Sequence, residues 1–193
     1  MSENNTAAHR KLNVRSATIT LTTLAVLIAA EVILNILEIH TGTIKINLSF
    51  IPVAVAAYLY GAFGGMAIYG LGDILGCIVH PVGAWYPPIT LTYALIGGIF
   101  GLFLHHNRKV VSTVLAVLIN QAVVSLFITS LWIALLMYKP DSGHFFSYYL
   151  TAVIPMRIVP MLVMAAIQMI LIPLILKAID RIGFVKPTRW RWR

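Results

Sequence analysis

Three ionisable residues stand inside otherwise apolar runs: Glu31, Asp73 and Arg157. A charge at the centre of a membrane costs about 3 kcal/mol on insertion scales and more in simulations. Such a group faces protein or a water-filled cavity, and it marks a functional site by default. A rise of about 1.5 Å per residue sets Asp73 about 10 Å, Glu31 about 12 Å and Arg157 about 15 Å below the outer ends of their segments. The three therefore share one layer in the outer half of a helical bundle. That layer has two readings, a buried Asp73–Arg157 pair that fixes helix register or a water-accessible polar pocket. Trp85, Tyr86 and Tyr93, with Trp132 further off, can stack on a planar ring. Trp85 and Tyr86 also suit an interfacial aromatic belt. Thr90, Asn120, Gln121 and Ser130 can hydrogen-bond a ligand or bond between helices. The face that carries Arg157 continues through Pro160, Met161, Met164 and Gln168, with methionine as a filler of irregular gaps.

The same residues exclude most catalytic chemistries. The chain has no P-loop glycine pattern followed by Lys and Ser or Thr, so it does not read as an ATPase. His105 and His106 are adjacent rather than one turn apart, with no carboxylate beside them, which argues against zinc. Aspartyl chemistry needs two carboxylates sharing a proton, and no second Asp lies in an apolar span. The expectation is a binding protein without metal or cofactor.

The elements that must position these groups are membrane helices. The chain has 193 residues, 60% hydrophobic and only 10% charged, with a mean hydropathy of +0.90. A soluble domain carries about twice that charged fraction. Each span takes about 20 apolar residues, and the sequence offers about six. The expected spans are Ala17–Ile39, Leu48–Tyr60, Ala62–Val79, Ile89–Leu104, Val111–Met137 and Ser147–Ala178. Lipid leaves no partner for an open backbone, and no alternating barrel pattern occurs. The predicted fold is an all-α integral membrane protein, a compact bundle of six transmembrane helices with both termini cytoplasmic. Residues 1–16 read as a disordered polar arm, 17–180 as the membrane domain and 181–193 as a basic cytoplasmic tail. The arm and the long first apolar run do not have the form of a cleaved signal.

The net charge of +8 would suit a nucleic-acid partner, but its distribution does not. Positive residues cluster at Arg10, Lys11 and Arg15, at Arg108 and Lys109, and from Lys177 to Arg193. They flank apolar segments on one side, as the positive-inside rule expects, while the other side receives only Lys45 and Lys139. The loops His80–Pro88 and Tyr138–Phe146 are therefore placed outside. The tail, with Trp190 and Trp192, suits headgroup anchoring. The single Cys77 excludes an intrachain disulfide.

Several local runs resemble the substrate-binding S component of energy-coupling factor (ECF) vitamin transporters, in the folate-family branch. GDILGCIVHPVGAWYPPITLT, Gly72 to Thr92, is similar to that family's signature across spans three and four. It has Pro87-Pro88-Ile89-Thr90-Leu91 where the family usually has Pro-Gly-Phe-Thr-Leu. Ile128–Trp132 (ITSLW) and Ile154–Pro160 (IPMRIVP) resemble its span-five and span-six runs. Spacing alone makes Ala25 and Ala29 a close-packing pair within the bundle; the resemblance makes them a docking face for a transmembrane coupling subunit. It implies a high-affinity vitamin binder in a cell membrane that works with that subunit and two cytoplasmic ATPases. It also implies reorientation of the loaded S component within the membrane to release its ligand inside. The site residues expected on this reading are Glu31, Asp73, Trp85, Tyr86, Thr90, Tyr93, Gln121 and Arg157. Folate binders tend to have Lys three residues after the span-six Arg, where this chain has Pro160. Glu31, Glu38 and Asp73 against Arg157 and Lys45 also suit a dianion poorly. Folate is the family default, and pyridoxine or a hydroxymethylpyrimidine are close competitors. The alternative class is a self-contained secondary transporter or channel for a small organic solute; a third is a membrane enzyme that needs Asp73.

Overall fold

The computed structural model describes residues 2–41, 44–81, 85–107, 109–138 and 144–182. The centres of the two long loops, Arg108 and the tail from residue 183 lie outside the described residues, as do the side chains of residues 2–16 and of Lys45. α1 runs from Ser2 to Ile36. Its backbone is helical from Ser2 onward. Once an apolar span has nucleated a helix, each further residue adds a hydrogen bond at little cost. The connection to the next helix is an antiparallel ribbon, β1 (Ile39–Thr41) with β2 (Ile44–Ile46), in the register His40 opposite Lys45. This is the one strand pair among the described residues and departs from an all-helical chain.

α2 spans Phe50–Val79 and breaks at Gly61, whose φ of 72° and ψ of −158° lie outside the helical region. Only glycine takes this conformation without strain. The two limbs fold back on one another. In a straight helix Ala57 and Gly65 would stand about 12 Å apart; here a Cβ built on Gly65 lies 3.2 Å from that of Ala57. Just before the break, His105 Nδ1 lies 3.1 Å from the Tyr58 carbonyl oxygen. The expected boundary between Tyr60 and Ala62 is thus a turn at Gly61. The Phe50–Tyr60 limb is almost wholly buried and forms the centre of the core, with Val53, Ala56 and Ala57 packed among Ile68, Phe100, Leu104, Val117 and Ile172.

α3 (Pro87–Asn107) opens on two prolines, tolerated in a first turn whose N–H groups have no helical partner. It runs antiparallel to the second limb of α2. A Cβ at Gly65 would fall on the Gly97 carbonyl, and one at Gly101 on the Ala62 backbone. Small residues thus bring these two backbones into contact.

α4 (Val110–Leu118) continues through a π-helical stretch, Ile119–Thr129, into α5 (Ser130–Met137). Thr129 Oγ1 donates to the Val124 carbonyl at 3.2 Å and Ser130 Oγ to that of Ser125 at 3.4 Å, both five residues back, which satisfies carbonyls in the widened turns. α6 (Phe145–Tyr148) passes through a second π-helical stretch, Tyr149–Val153, into α7 (Ile154–Ile182). That stretch ends just before Pro155, which has no N–H to return to the preceding turn. α7 keeps Pro160 and Pro173 inside it.

Five helices are long and apolar enough to cross a membrane: Ala17–Ile36, Phe50–Val79, Pro87–His105, Val110–Leu136 and Phe145–Ile179. The first and last are the least buried, with 11% and 17% of their apolar windows enclosed against 67% for Phe50–Val79.

Candidate functional site

Helical spacing assembles the site from three elements. On α2, Tyr69 and Asp73 lie one turn apart on one face, as do Thr90 and Tyr93 on α3. Because the helices are antiparallel, Asp73 meets Thr90 and Tyr69 meets Tyr93. Thr90 Oγ1 donates to Asp73 Oδ2 at 2.5 Å and accepts from Trp85 Nε1 at 2.8 Å. The rings of Tyr69 and Tyr93 lie 4.9 Å apart, tilted by 35°. The third element, α1, packs against the glycine face of α2. A Cβ at Gly72 would fall on the Glu31 carboxylate, and one at Gly76 would lie 3.2 Å from Asn35 Nδ2. Glu31 is enclosed because Gly72 offers no side chain.

Glu31 is 0% exposed, and neither carboxylate oxygen has a hydrogen-bond partner among the described residues. A buried acceptor left unmade costs about 1–3 kcal/mol, and more for a charged group. Glu31, Asp73, Tyr69 and Tyr93 line a cavity of about 20 Å³ together with Asn35, Asn47 and Ser49. Asn47 Nδ2 donates to Asn35 Oδ1 at 2.9 Å, Asn47 Oδ1 accepts from the Ser49 N–H at 2.7 Å, and Tyr69 and Ser49 face the same cavity. The loop before α2 is thereby tied to α1. Arg157 borders the layer from α7, within electrostatic reach of Tyr93, as are Glu31, Glu38 and Asp73. Its Nη1 is buried without a partner among the described residues. No ion pair joins it to Asp73 among the described residues; Asp73 takes the Thr90 hydroxyl instead.

The structure thus brings Glu31, Asp73, Thr90 and Tyr93 together, with Arg157 within electrostatic reach of Tyr93 and Trp85 hydrogen-bonded at the edge and 52% exposed. Tyr86 and Gln121 stand elsewhere. Tyr86 meets Trp132 edge-on at 6.2 Å, and Trp132 Nε1 donates to Thr92 Oγ1 at 3.2 Å, on another face of α3. Gln121 Nε2 donates to Gln168 Oε1 at 3.0 Å, tying the π-helical stretch to α7. Asn35, Asn47, Ser49 and Tyr69 were not singled out from sequence. Asn35 lies one turn after Glu31 and Tyr69 one turn before Asp73, a spacing that points to both. Asn47 and Ser49 had no such signal, because a loop fold places them. Ala25 and Ala29 are exposed on α1.

Five helices long and apolar enough to cross a membrane, with a small enclosed polar cavity among them, define a multi-pass membrane protein. The family model of the ECF transporter, substrate-specific component, matches residues 19–176. The chain belongs to that family, on its folate branch. It is 31% identical over 115 residues to the folate transporter FolT of Clostridium novyi (strain NT), spanning 58% of this chain and 67% of that one. It is 24% identical over 147 residues to the folate transporter FolT of Leuconostoc mesenteroides subsp. mesenteroides, spanning 75% and 77%. The crystal structure of FolT bound with folic acid aligns with a TM-score of 0.70 and 25% identity, covering 86% of this chain and 95% of that one. Members of this family are transporter subunits that bind substrate; they are not enzymes.

Proposed function

We propose that this chain captures a folate-class vitamin at the outer face of a bacterial plasma membrane and delivers it inward, coupled to a transmembrane subunit and two cytoplasmic ATPases. The observation that carries this reading is the cavity lined by Glu31, Asp73 and the Tyr69–Tyr93 pair, where the hydrogen-bonding capacity of Glu31 is left unused beside aromatic rings. Likeness to proteins named folate transporters supports folate ahead of pyridoxine or a hydroxymethylpyrimidine. On this reading both limbs of α2 count as separate segments, giving six, with both termini and the basic tail 181–193 on the cytoplasmic side. The membrane domain is 17–180.

The cavity holds about 20 Å³, far below the roughly 300 Å³ and more of ligand pockets. Ligand entry therefore requires it to widen. α1 and α7 carry Glu31 and Arg157 and are the least enclosed helices, so they are the elements to move. Ala25 and Ala29 face outward one turn apart on α1, a flat strip on which a coupling helix can seat closely.

The test is mass spectrometry of small molecules that co-purify with the protein, followed by titration with folic acid, pyridoxine and hydroxymethylpyrimidine. Tight stoichiometric binding of folic acid, weakened at least tenfold by Arg157→Ala and by Trp85→Ala in folded protein, is the expected result. A protein that takes none of the three, or that drives uptake alone on an ion gradient, overturns the proposal.

A further inference from the structure

The cavity holds more negative charge than its protein neighbours balance. Glu31 is 0% exposed, and neither carboxylate oxygen has a hydrogen-bond partner among the described residues. Asp73 lines the same cavity and takes a neutral partner, the Thr90 hydroxyl. From α7 the Arg157 guanidinium comes within electrostatic reach of Tyr93, as does Glu38 just after α1. Glu38 is only part-buried. Arg157 can offset one of the two cavity carboxylates, which leaves one negative charge. A buried charge persists only when it is paired or coordinates an ion.

The space beside Glu31 limits what can supply the missing charge. At about 20 Å³ it has room for one guest the size of a water molecule. Besides the two carboxylates its wall carries Asn35, Asn47 and Ser49. Asn35 Oδ1 and Asn47 Oδ1 each accept one hydrogen bond and keep a second lone pair. A wall of oxygen donors suits a hard cation, not zinc or copper. A divalent ion takes six or more oxygens or keeps several waters, and among the described residues no three His, Cys, Asp or Glu gather as a metal site. The charge left over is also single. We propose that one monovalent alkali cation, of the size of sodium or potassium, occupies this cavity against Glu31 while no vitamin is bound, and that the vitamin displaces it. The cation is a transient occupant that neutralises Glu31 until the larger ligand widens the site.

Occupancy follows from the cavity and its charge alone. Only the displacement rests on the vitamin-binding reading, so the two are measured separately. The first experiment reads the thermal midpoint of the purified, vitamin-free full chain in sodium, potassium or lithium chloride, each exchanged against choline chloride at constant ionic strength. Choline is too large for the cavity, and the exchange holds general screening fixed. An alkali cation at ten times its dissociation constant is expected to raise the midpoint by about 3–6 °C. Radiolabelled sodium should bind at one per chain. Glu31→Gln, close in shape but uncharged, is expected to remove both effects, and the wild-type comparison with choline tests the proposal should that variant fail to fold. The second experiment titrates folic acid by tryptophan fluorescence in the same salts. Competition at ten times the cation's dissociation constant should weaken folic acid about tenfold relative to choline.

Midpoints equal in all salts overturn the proposal. So does a midpoint that follows pH and not the cation, because a proton then neutralises Glu31. A cation effect that survives in folded Glu31→Gln places the ion elsewhere and overturns it too, as does folic acid binding equally well in sodium and in choline. A chain that binds no folic acid in any salt refutes the vitamin-binding reading, and the vitamin-free midpoint still decides whether the cation is there.

Discussion

Substituting Gly97 by alanine tests the close approach that holds the site together. A Cβ at this position would lie 2.5 Å from the Gly65 carbonyl carbon and 3.0 Å from the Met66 nitrogen, and it would overlap the Gly65 carbonyl oxygen. All three atoms are backbone, so no side chain can rotate away. Overpacking of this kind costs about 1–3 kcal/mol. With only rigid partners the expected value is at the upper end, near 3 kcal/mol, or about a 100-fold loss in the folded-to-unfolded ratio. Gly70, on the facing helix α2, is the control, because a Cβ there meets only the Ala94 Cβ at an ordinary 3.4 Å. The assay is denaturant unfolding in detergent, followed by tryptophan fluorescence. Gly97→Ala should move the midpoint strongly and Gly70→Ala by no more than about 0.5 kcal/mol. The α2–α3 contact also sets Asp73 against Thr90 and Tyr69 against Tyr93. Separation of the helices should therefore weaken ligand binding as well. Equal stability of the two variants would refute the claim that the backbones meet at Gly65 and Gly97.

Thr90→Val removes the hydroxyl that joins Trp85 to Asp73, leaving a donor and an acceptor without partners; ligand affinity should fall about tenfold, with Thr90→Ser close to wild type, as read by titration. Gly61→Ala forces a side chain into a positive-φ turn beside His105, a cost of about 1–3 kcal/mol that thermal unfolding would register. Leucine at both Ala25 and Ala29 should spare ligand binding by the isolated chain and abolish uptake by the assembled transporter; normal uptake would remove these alanines from the docking face.

Much of the fold was legible because lipid restricts the choice. Long apolar runs in a chain this poor in charge must be helices, and α1, α3 and α7 overlap the runs read from composition. Glu31 and Asp73 stood out in the sequence as costly exceptions in apolar segments, and they line one cavity. Tyr86 and Gln121 look equally suitable as aromatic and amide groups. Which face of a helix turns toward a cavity depends on packing with other helices, and theirs meet Trp132 and Gln168.

By itself the sequence determined the class of protein, because that follows from transfer energies that act residue by residue. The family resemblance was carried by local runs such as Gly72–Thr92. Only the tertiary structure decided who partners whom. Whether Asp73 meets Arg157 or Thr90, whether Glu31 is exposed or sealed against Gly72, and whether Ser49 and Tyr69 line one cavity all depend on the fold-back at Gly61 and the contact of Gly65 with Gly97. Those contacts join residues far apart in the chain, and the identity of either partner alone does not encode them.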